Sequence, residues 1–361
     1  MYKSKKVIML EYIPLRILME IISFSPYIFV VLFAKLIGAL MYYLVPSARK
    51  VALINLKQAF PEKTYRERKR IAKRSMKSMI ITFAEFIKSS RMSNNQILKR
   101  VKIEGLEDFD KALEDKKGII AITGHIGNWE YIAFYFGIHK YNPKVIFRPL
   151  DNPKLDKYMR SWREKRGEEC ISRWGDLRDI FKALYDNSPV AFLCDQNYLD
   201  GIFVDFFNYP CATAVGPVAV AMKTKSPIAI IYDVPDRYGH HKIIVSEIMY
   251  IEEKETKEET LYFNTQKYTK KLEEIIRKYP ENWLWVHPRW NTRPKGEKMR
   301  FELGQKIIDK IRKPFIRVKW REVVKEREID MKFKLKEFID VYNNLLDDDY
   351  SKQTYLNVLQ Y

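Results

Sequence analysis

The chain has 361 residues, 47% of them hydrophobic and 31% charged, a balance that excludes a disordered chain and allows one large or two small cores. Sixty-five Lys and Arg against 46 Asp and Glu give a formal net charge of +19, which favours anionic partners without choosing among nucleic acid, acidic lipid and an acidic carrier protein. Three scattered cysteines, Cys170, Cys194 and Cys211, exclude a disulfide framework and a zinc knuckle, and are expected to be reduced thiols.

In chain order, the first feature is a nearly unbroken apolar stretch, Ile21–Val45, long enough for a helix that crosses a bilayer, which takes about 20 residues. It is longer than the apolar core of a cleaved signal, and no small-residue cleavage site follows it. Basic residues flank both ends (Lys3, Lys5, Lys6; Arg49, Lys50), so charge assigns no orientation. Pro26 and Lys35 suit a kinked or partly interfacial helix, which leaves a span and a helix lying in one leaflet both open. Residues 1–50 are therefore read as a membrane anchor.

Residues 51–100 read as a basic helical segment at the membrane surface. Val51–Phe60 has helical spacing and stops at Pro61; Thr64 is placed to cap a second helix running to Phe86. That helix opens with Arg66, Arg68, Lys69 and Arg70, which suits an anionic lipid surface or, equally, a solvated face.

From 101 to 294, short apolar runs alternate with helical patterns. Strands are predicted at Gly118–Thr123, Val145–Phe147, Val190–Cys194, Ile202–Phe206, Ile228–Tyr232 and Ile243–Ser246. Helices are predicted near Asn128–Gly137, Pro153–Arg166, Asp176–Asp186, Val215–Thr224 and Leu261–Lys278. The alternation implies an α/β fold: a mixed, mainly parallel central sheet flanked by helices, preceded by the anchoring helix. Residues 295–361 form a charged C-terminal extension, in which Phe333, Leu335, Phe338, Ile339, Val341, Tyr342 and Leu345 are spaced as in an amphipathic helix.

Gly118–Glu130 (GIIAITGHIGNWE) carries the chemistry. An apolar strand ends in a glycine-rich turn holding His125, and Glu130 follows five residues later. With His125 in the turn and Glu130 in the first turn of the next helix, a carboxylate can orient an imidazole that accepts a proton from a hydroxyl. Gly124 and Gly127 permit the tight backbone, and Asn128 is placed to cap the helix. A His–Glu pair by itself is equally consistent with a structural ion pair.

GHIGNWE resembles the H-x4-D/E box of the lipid A biosynthesis late acyltransferase family. RKVALINLKQAFPEKT (Arg49–Thr64), FRPLDNPKLD (Phe147–Asp156), CDQN (Cys194–Asn197), FVDFFNYPCATAVGPVAVA (Phe203–Ala221) and PENWLWVHPRWNTRP (Pro280–Pro294) match the same family in the same order, and the resemblance covers about residues 10–294. It implies transfer of a fatty acyl group from acyl-acyl carrier protein to a glycolipid hydroxyl at the cytoplasmic face of the bacterial inner membrane. It further implies His125 as base, Glu130 as its orienting carboxylate, Arg163 as a stabiliser of the oxyanion or of a phosphate, and Asp195 as the holder of that arginine. Asn128, Arg148, Gln196, Arg289 and Arg293 are the expected substrate-binding residues, with the tryptophans of WLWVHPRW either at headgroup level or in a core strand. Two positions depart from the family pattern: Pro288 stands where a second arginine is frequent, and Asn197 where an aspartate is. No metal or other cofactor and no nucleic acid is expected; His240 and His241 read as a turn. Other acceptors, such as a phosphatidylinositol mannoside, and a non-catalytic lipid-binding role on the same fold are the alternatives.

Overall fold

The computed structural model describes residues 5–294, apart from Trp174, Asp176, Asp200 and Arg237. The extension expected over 295–361, with its amphipathic helix, lies outside the described residues.

The N-terminal apolar stretch is two helices, α1 (Lys5–Phe24) and α2 (Tyr27–Leu44). Ser25 and Pro26 form the break between them, and the N–H of Phe29 donates to the Pro26 carbonyl at 3.0 Å as α2 begins; Pro14, by contrast, lies within α1. By length and composition, α2 can cross a membrane. In α1 the usual arrangement is inverted. Its apolar Leu10, Ile17, Leu18, Ile21 and Phe24 are exposed, whereas Glu20 is turned toward protein partners. Arg91 Nη2 donates to Glu20 Oε2 at 2.8 Å, Tyr158 Oη donates to its Oε1 at 2.7 Å, and Arg16 Nε donates at 2.8 Å.

Helix α3 (Pro46–Ala59) begins on a proline, whose fixed φ suits a first helical position. Helix α4 (Tyr65–Ser89) is capped by Thr64 as expected, with Glu67 N donating to Thr64 Oγ1 at 3.3 Å and Thr64 N donating back to Glu67 Oε2 at 2.8 Å. Helix α5 (Asn94–Leu98) has the same reciprocal cap between Ser93 and Gln96.

Strands and helices then alternate: β1 (Val101–Glu104), α6 (Leu106–Leu113), β2 (Ile119–Thr123), α7 (Trp129–Ile138), β3 (Lys144–Phe147), α8 (Pro153–Glu164), β4 (Glu169–Ser172), α9 (Leu177–Tyr185) and β5 (Pro189–Leu193). The chain continues through β6 (Ile202–Phe206), β7 (Tyr209–Thr213), α10 (Gly216–Thr224), β8 (Ile228–Pro235), β9 (His241–Met249), α11 (Lys257–Lys278) and a short 3-10 turn at Pro280–Asn282.

Two compact units result. The first takes residues up to Ala39, Lys77–Leu193 and Thr224–Tyr250, and contains a seven-stranded sheet in the order β1-β9-β8-β2-β5-β3-β4. All neighbours are parallel except the β8–β9 pair, so the sheet is mixed and mainly parallel, as the alternation predicts. Strand β2 is buried along its whole length. Parallel strands covered on both faces read as continuous apolar runs, which is why IIAIT is legible in the sequence.

Among the described residues, the second unit takes Leu40–Met76, Cys194–Lys223 and residues 251–294, and contains the antiparallel β6–β7 hairpin with α3 and α11. Ile202–Phe206 is thus a strand as expected, but of this hairpin and not of the central sheet. Trp283, Trp285 and Trp290 are buried here, with the first two in edge-to-face contact at 4.5 Å. This rules out a headgroup-level role for them. The segment is also no strand: a 3-10 turn leads into irregular backbone, held by Asn55 Nδ2, which donates to the carbonyls of Trp285 and His287 at 2.8 Å each.

Candidate active site

In the first unit, β2 delivers the chain to the carboxyl edge of the sheet, where His125 lies two residues past Thr123 and α7 begins at Trp129. This is the edge at which open α/β sheets bind ligands. Arg148 follows β3 at the same edge. It is half exposed, with its guanidinium 3.7 Å from Asp151.

The turn between β2 and α7 depends on Gly127 rather than Gly124. Gly127 has φ +62°, and a Cβ there would lie 2.3 Å from the carbonyl oxygen of Asp233. No side chain fits that approach. The His125 ring packs edge-on against Trp129, with centroids 4.7 Å apart.

Asn128 occupies the N-cap position of α7 but makes no side-chain cap bond. It does not cap the helix as the sequence predicts, because its side chain is committed elsewhere: Nδ2 donates to Glu85 Oε2 at 3.0 Å, and its backbone N–H donates to Asp233 Oδ2 at 2.7 Å. The residue is fully buried.

Glu130 stands in the first turn of α7 and Arg163 in the last turn of α8, and the fold brings the two together. Arg163 Nη2 donates to Glu130 Oε1 at 2.6 Å and Nε donates to Oε2 at 2.9 Å, a planar two-pronged pair. The neighbouring Glu168 carboxylate is 3.8 Å from Arg163 Nε, and the Phe86 ring packs against the guanidinium with its centroid 5.0 Å away. Burial alone would lower the Arg163 pKa, but Glu130 and Glu168 raise it, so the cation is permanent. Glu168 is almost wholly buried, and one of its oxygens has no hydrogen-bond partner among the described residues. Burial, reinforced by Glu130, pushes its carboxyl up to about 8 against the pull of Arg163. Glu168 was not singled out in the sequence; only its place in the RGEEC run, just after the helix that carries Arg163, offered a signal.

The remaining expected residues belong to the second unit. Asp195 and Gln196 follow β5 in the chain; Asp195 is buried and Trp283 Nε1 donates to its Oδ2 at 2.7 Å. Arg289 is also buried and donates to Ala212 O at 2.5 Å and Thr213 Oγ1 at 2.6 Å, which ties the C-terminal segment to β7. Arg293 donates to Pro210 O at 2.8 Å. Asn197 accepts from the Thr292 N–H at 3.1 Å, and its own N–H donates to His287 Nε2 at 3.0 Å. The cysteines are free thiols, and burial pushes Cys211 up to about 11.

The RYGHHK pattern predicts a turn at His241, but the residue is buried, at the start of β9 between two carboxylates. Its Nδ1 is 2.9 Å from Asp233 Oδ2 and its Nε2 is 3.3 Å from Glu85 Oε2. His240, its neighbour, is exposed.

The sequence model of bacterial lipid A biosynthesis acyltransferases matches residues 2–292. Lipid A biosynthesis lauroyltransferase of Escherichia coli (strain K12) is 24% identical over 271 residues, covering 73% of this chain and 86% of that protein. A lipid A biosynthesis acyltransferase of Haemophilus influenzae is 26% identical over 266 residues, 71% of this chain and 82% of its own. A phosphatidylinositol mannoside acyltransferase of Mycobacterium tuberculosis is 28% identical over 127 residues, 34% of this chain and 40% of its own. With a buried carboxylate–arginine pair at the carboxyl edge of a mainly parallel sheet, and a family match across most of its length, this chain belongs to the bacterial lipid A biosynthesis acyltransferase family and is an acyltransferase.

Proposed function

We propose that the protein transfers a fatty acyl chain from acyl-acyl carrier protein to a hydroxyl of a lipid A precursor, at the cytoplasmic face of the inner membrane, with His125 as general base. The observation that carries this reading is the two-pronged Glu130–Arg163 pair in the turn of α7 that follows His125. His125 takes the proton of the acceptor hydroxyl as its oxygen attacks the thioester carbonyl. The tetrahedral oxyanion then collapses, the C–S bond breaks, and the proton passes from His125 to the departing thiolate. Glu130 orients the imidazole: a carboxylate offers about four lone-pair directions, so pairing with Arg163 leaves it able to accept from a ring N–H. Arg163 fixes Glu130 and adds a permanent positive charge near the developing oxyanion. Asp195 positions its loop through Trp283.

The outward apolar faces of α1 and α2 support the membrane location, since contiguous exposed apolar surface marks lipid or protein contact. The formal charge of +19 suits both an acidic carrier and an anionic acceptor. The partial likeness to a phosphatidylinositol mannoside acyltransferase favours, as the second reading, a different glycolipid acceptor handled by the same chemistry.

The test is incubation of the solubilised full chain with radiolabelled tetraacylated lipid A precursor and a panel of acyl-carrier thioesters, beside His125→Ala. A more highly acylated product that disappears in the variant is expected. Folded protein that yields no product with any thioester would overturn the lipid A acceptor, and other glycolipids are the next substrates to try.

A further inference from the structure

Behind the turn that carries His125 lies a buried set of ionisable groups that the chemistry above does not use. Glu85 comes from α4, Asp233 from β8 and His241 from β9, and each is no more than 2% exposed. The His241 imidazole lies between the two carboxylates: Nδ1 is hydrogen-bonded to Asp233 Oδ2 at 2.9 Å, and Nε2 is 3.3 Å from Glu85 Oε2, an ion-pair contact without hydrogen-bond geometry. Each carboxylate also reaches the turn: Asp233 Oδ2 accepts the backbone N–H of Asn128 at 2.7 Å, and Glu85 Oε2 accepts its side-chain amide at 3.0 Å. A further bond runs from Thr82 Oγ1 to Gly127 O at 3.0 Å, and the absent Gly127 side chain lets Asp233 approach.

The set extends to the anchor. Tyr27, the first residue of α2, places its hydroxyl 2.7 Å from Glu85 Oε1 and 3.1 Å from Gly239 O, while the Arg100 guanidinium lies over its ring at 3.4 Å. The Tyr131 ring of α7 packs edge-on to His241 at 4.6 Å. Helix α2, helix α4 and the β8–β9 pair, all distant in sequence from the turn, thus gather behind Gly127 and Asn128, two and three residues after His125.

We propose that Tyr27, Glu85, Asp233 and His241 form a positioning network that fixes the turn bearing His125, and that through Tyr27 the start of the anchor helix is part of the catalytic architecture as well as a tether. None of the four touches the reacting atoms; they act through Gly127 and Asn128. The network is worth building from charged groups because a turn with a left-handed glycine has little regular hydrogen bonding of its own, and charge-assisted bonds in a dry interior hold geometry better than neutral ones. His241 supplies the positive charge that lets two carboxylates share that interior: burial opposes its protonation, but Asp233 and Glu85 raise its pKa to about 10.

This inference rests on His125 being the base. The experiment compares kcat, KM, vesicle flotation and melting temperature for wild type, Tyr27→Phe, His241→Gln, His125→Ala and, as a surface control, His240→Gln. Misplacing a base by about 1 Å costs on the order of 100-fold in rate. His241→Gln is therefore expected to lower kcat about 100-fold with KM little changed. Tyr27→Phe, which removes one hydroxyl and leaves the apolar helix intact, should lower kcat about 10-fold with flotation and KM unchanged, for loss of one supporting bond. A His241→Gln or Tyr27→Phe enzyme with wild-type kcat overturns the network while leaving the acyltransferase reading intact. Full activity in His125→Ala overturns the base assignment instead. An activity-independent arm covers that case: 15N NMR of histidine-labelled full chain should show His241 still protonated on both nitrogens at pH 8.5, and a neutral ring there would remove the network's charge balance and refute it.

Discussion

Arg163→Ala tests the reading of the site most directly. In the folded chain the guanidinium makes two short bonds to Glu130 and lies 3.8 Å from Glu168. The side chains of all three are at most 18% exposed. Truncation leaves the Glu130 carboxylate without its counter-charge, beside Glu168, whose carboxyl burial already holds mostly protonated at neutral pH. Removing one partner of such a buried pair costs about 3–5 kcal/mol, most of it the desolvation of the charges left behind. For a chain of this size each kcal/mol moves the melting temperature by about 2–4 °C, so a fall of roughly 10 °C is expected in a thermal melt at pH 7.5 in detergent. Adding Glu168→Gln should recover little of that fall at pH 7.5 and more of it above about pH 8, where Glu168 would otherwise ionise beside Glu130. Arg163→Lys keeps the charge but cannot grip both oxygens of Glu130 in one plane, so it should regain stability ahead of kcat. An Arg163→Ala protein that melts within 2 °C of wild type would refute the claim that this pair is a buried, energetically coupled unit.

Glu168→Gln should reveal a pH-dependent gain. A carboxyl raised from 4.5 to about 8 on folding contributes stability that is complete below its unfolded pKa and lost as pH rises through 8. The neutral glutamine escapes that loss, so its melting temperature relative to wild type should climb between pH 5 and 9; a constant difference across that range would contradict it. Gly127→Ala should cost both stability and turnover. The left-handed backbone carries a penalty of about 1–2 kcal/mol for alanine, and the new Cβ displaces the Asp233 backbone. Wild-type kcat in a Gly127→Ala protein would show that the turn tolerates a shift the geometry forbids.

What the sequence made legible follows from how each element is buried. Strand β2 and the turn after it were readable because a strand covered on both faces is a pure apolar run, and the glycines that follow have a backbone reason to be there. The edge strand β4 was not: ECIS is only four residues long and buries one of them, Ile171, too little for an apolar run or a period-two pattern. Strand β7 was hidden for a different reason. The β6–β7 hairpin turns through Phe207 and Asn208, both with φ near +60°, and a phenylalanine is foreign to the Asn-Gly signature that announces such turns. A tertiary bond compensates, with the Phe207 N–H donating to the buried Glu273 carboxylate of α11 at 2.8 Å. Pro26 suits a kinked or partly interfacial helix in the sequence, and in the fold it stands at a junction between two helices.

The site divides along the same line. His125, Glu130 and Arg163 could be named because two of them share one short motif and the third follows a recognisable segment. Their supports could not, because a residue that holds a turn from behind is chosen by where the chain returns to and not by what precedes it. His241 is the plainest case: in RYGHHK it is indistinguishable from exposed His240, and only the arrival of Glu85, 156 positions earlier, and of Asp233, across the β8–β9 pair, makes it a buried cation. Asn128 shows the reverse error, since local pattern assigns it to a helix cap that any nearby N–H would satisfy, while the fold spends its amide on Glu85. Motifs report groups close together in sequence; the groups that hold them from behind are written in the topology. On the proposal above, a chain that kept its histidine, glutamate and arginine but lost the Glu85–His241–Asp233 set would keep every motif legible in the sequence and lose the bonds that hold Gly127 and Asn128.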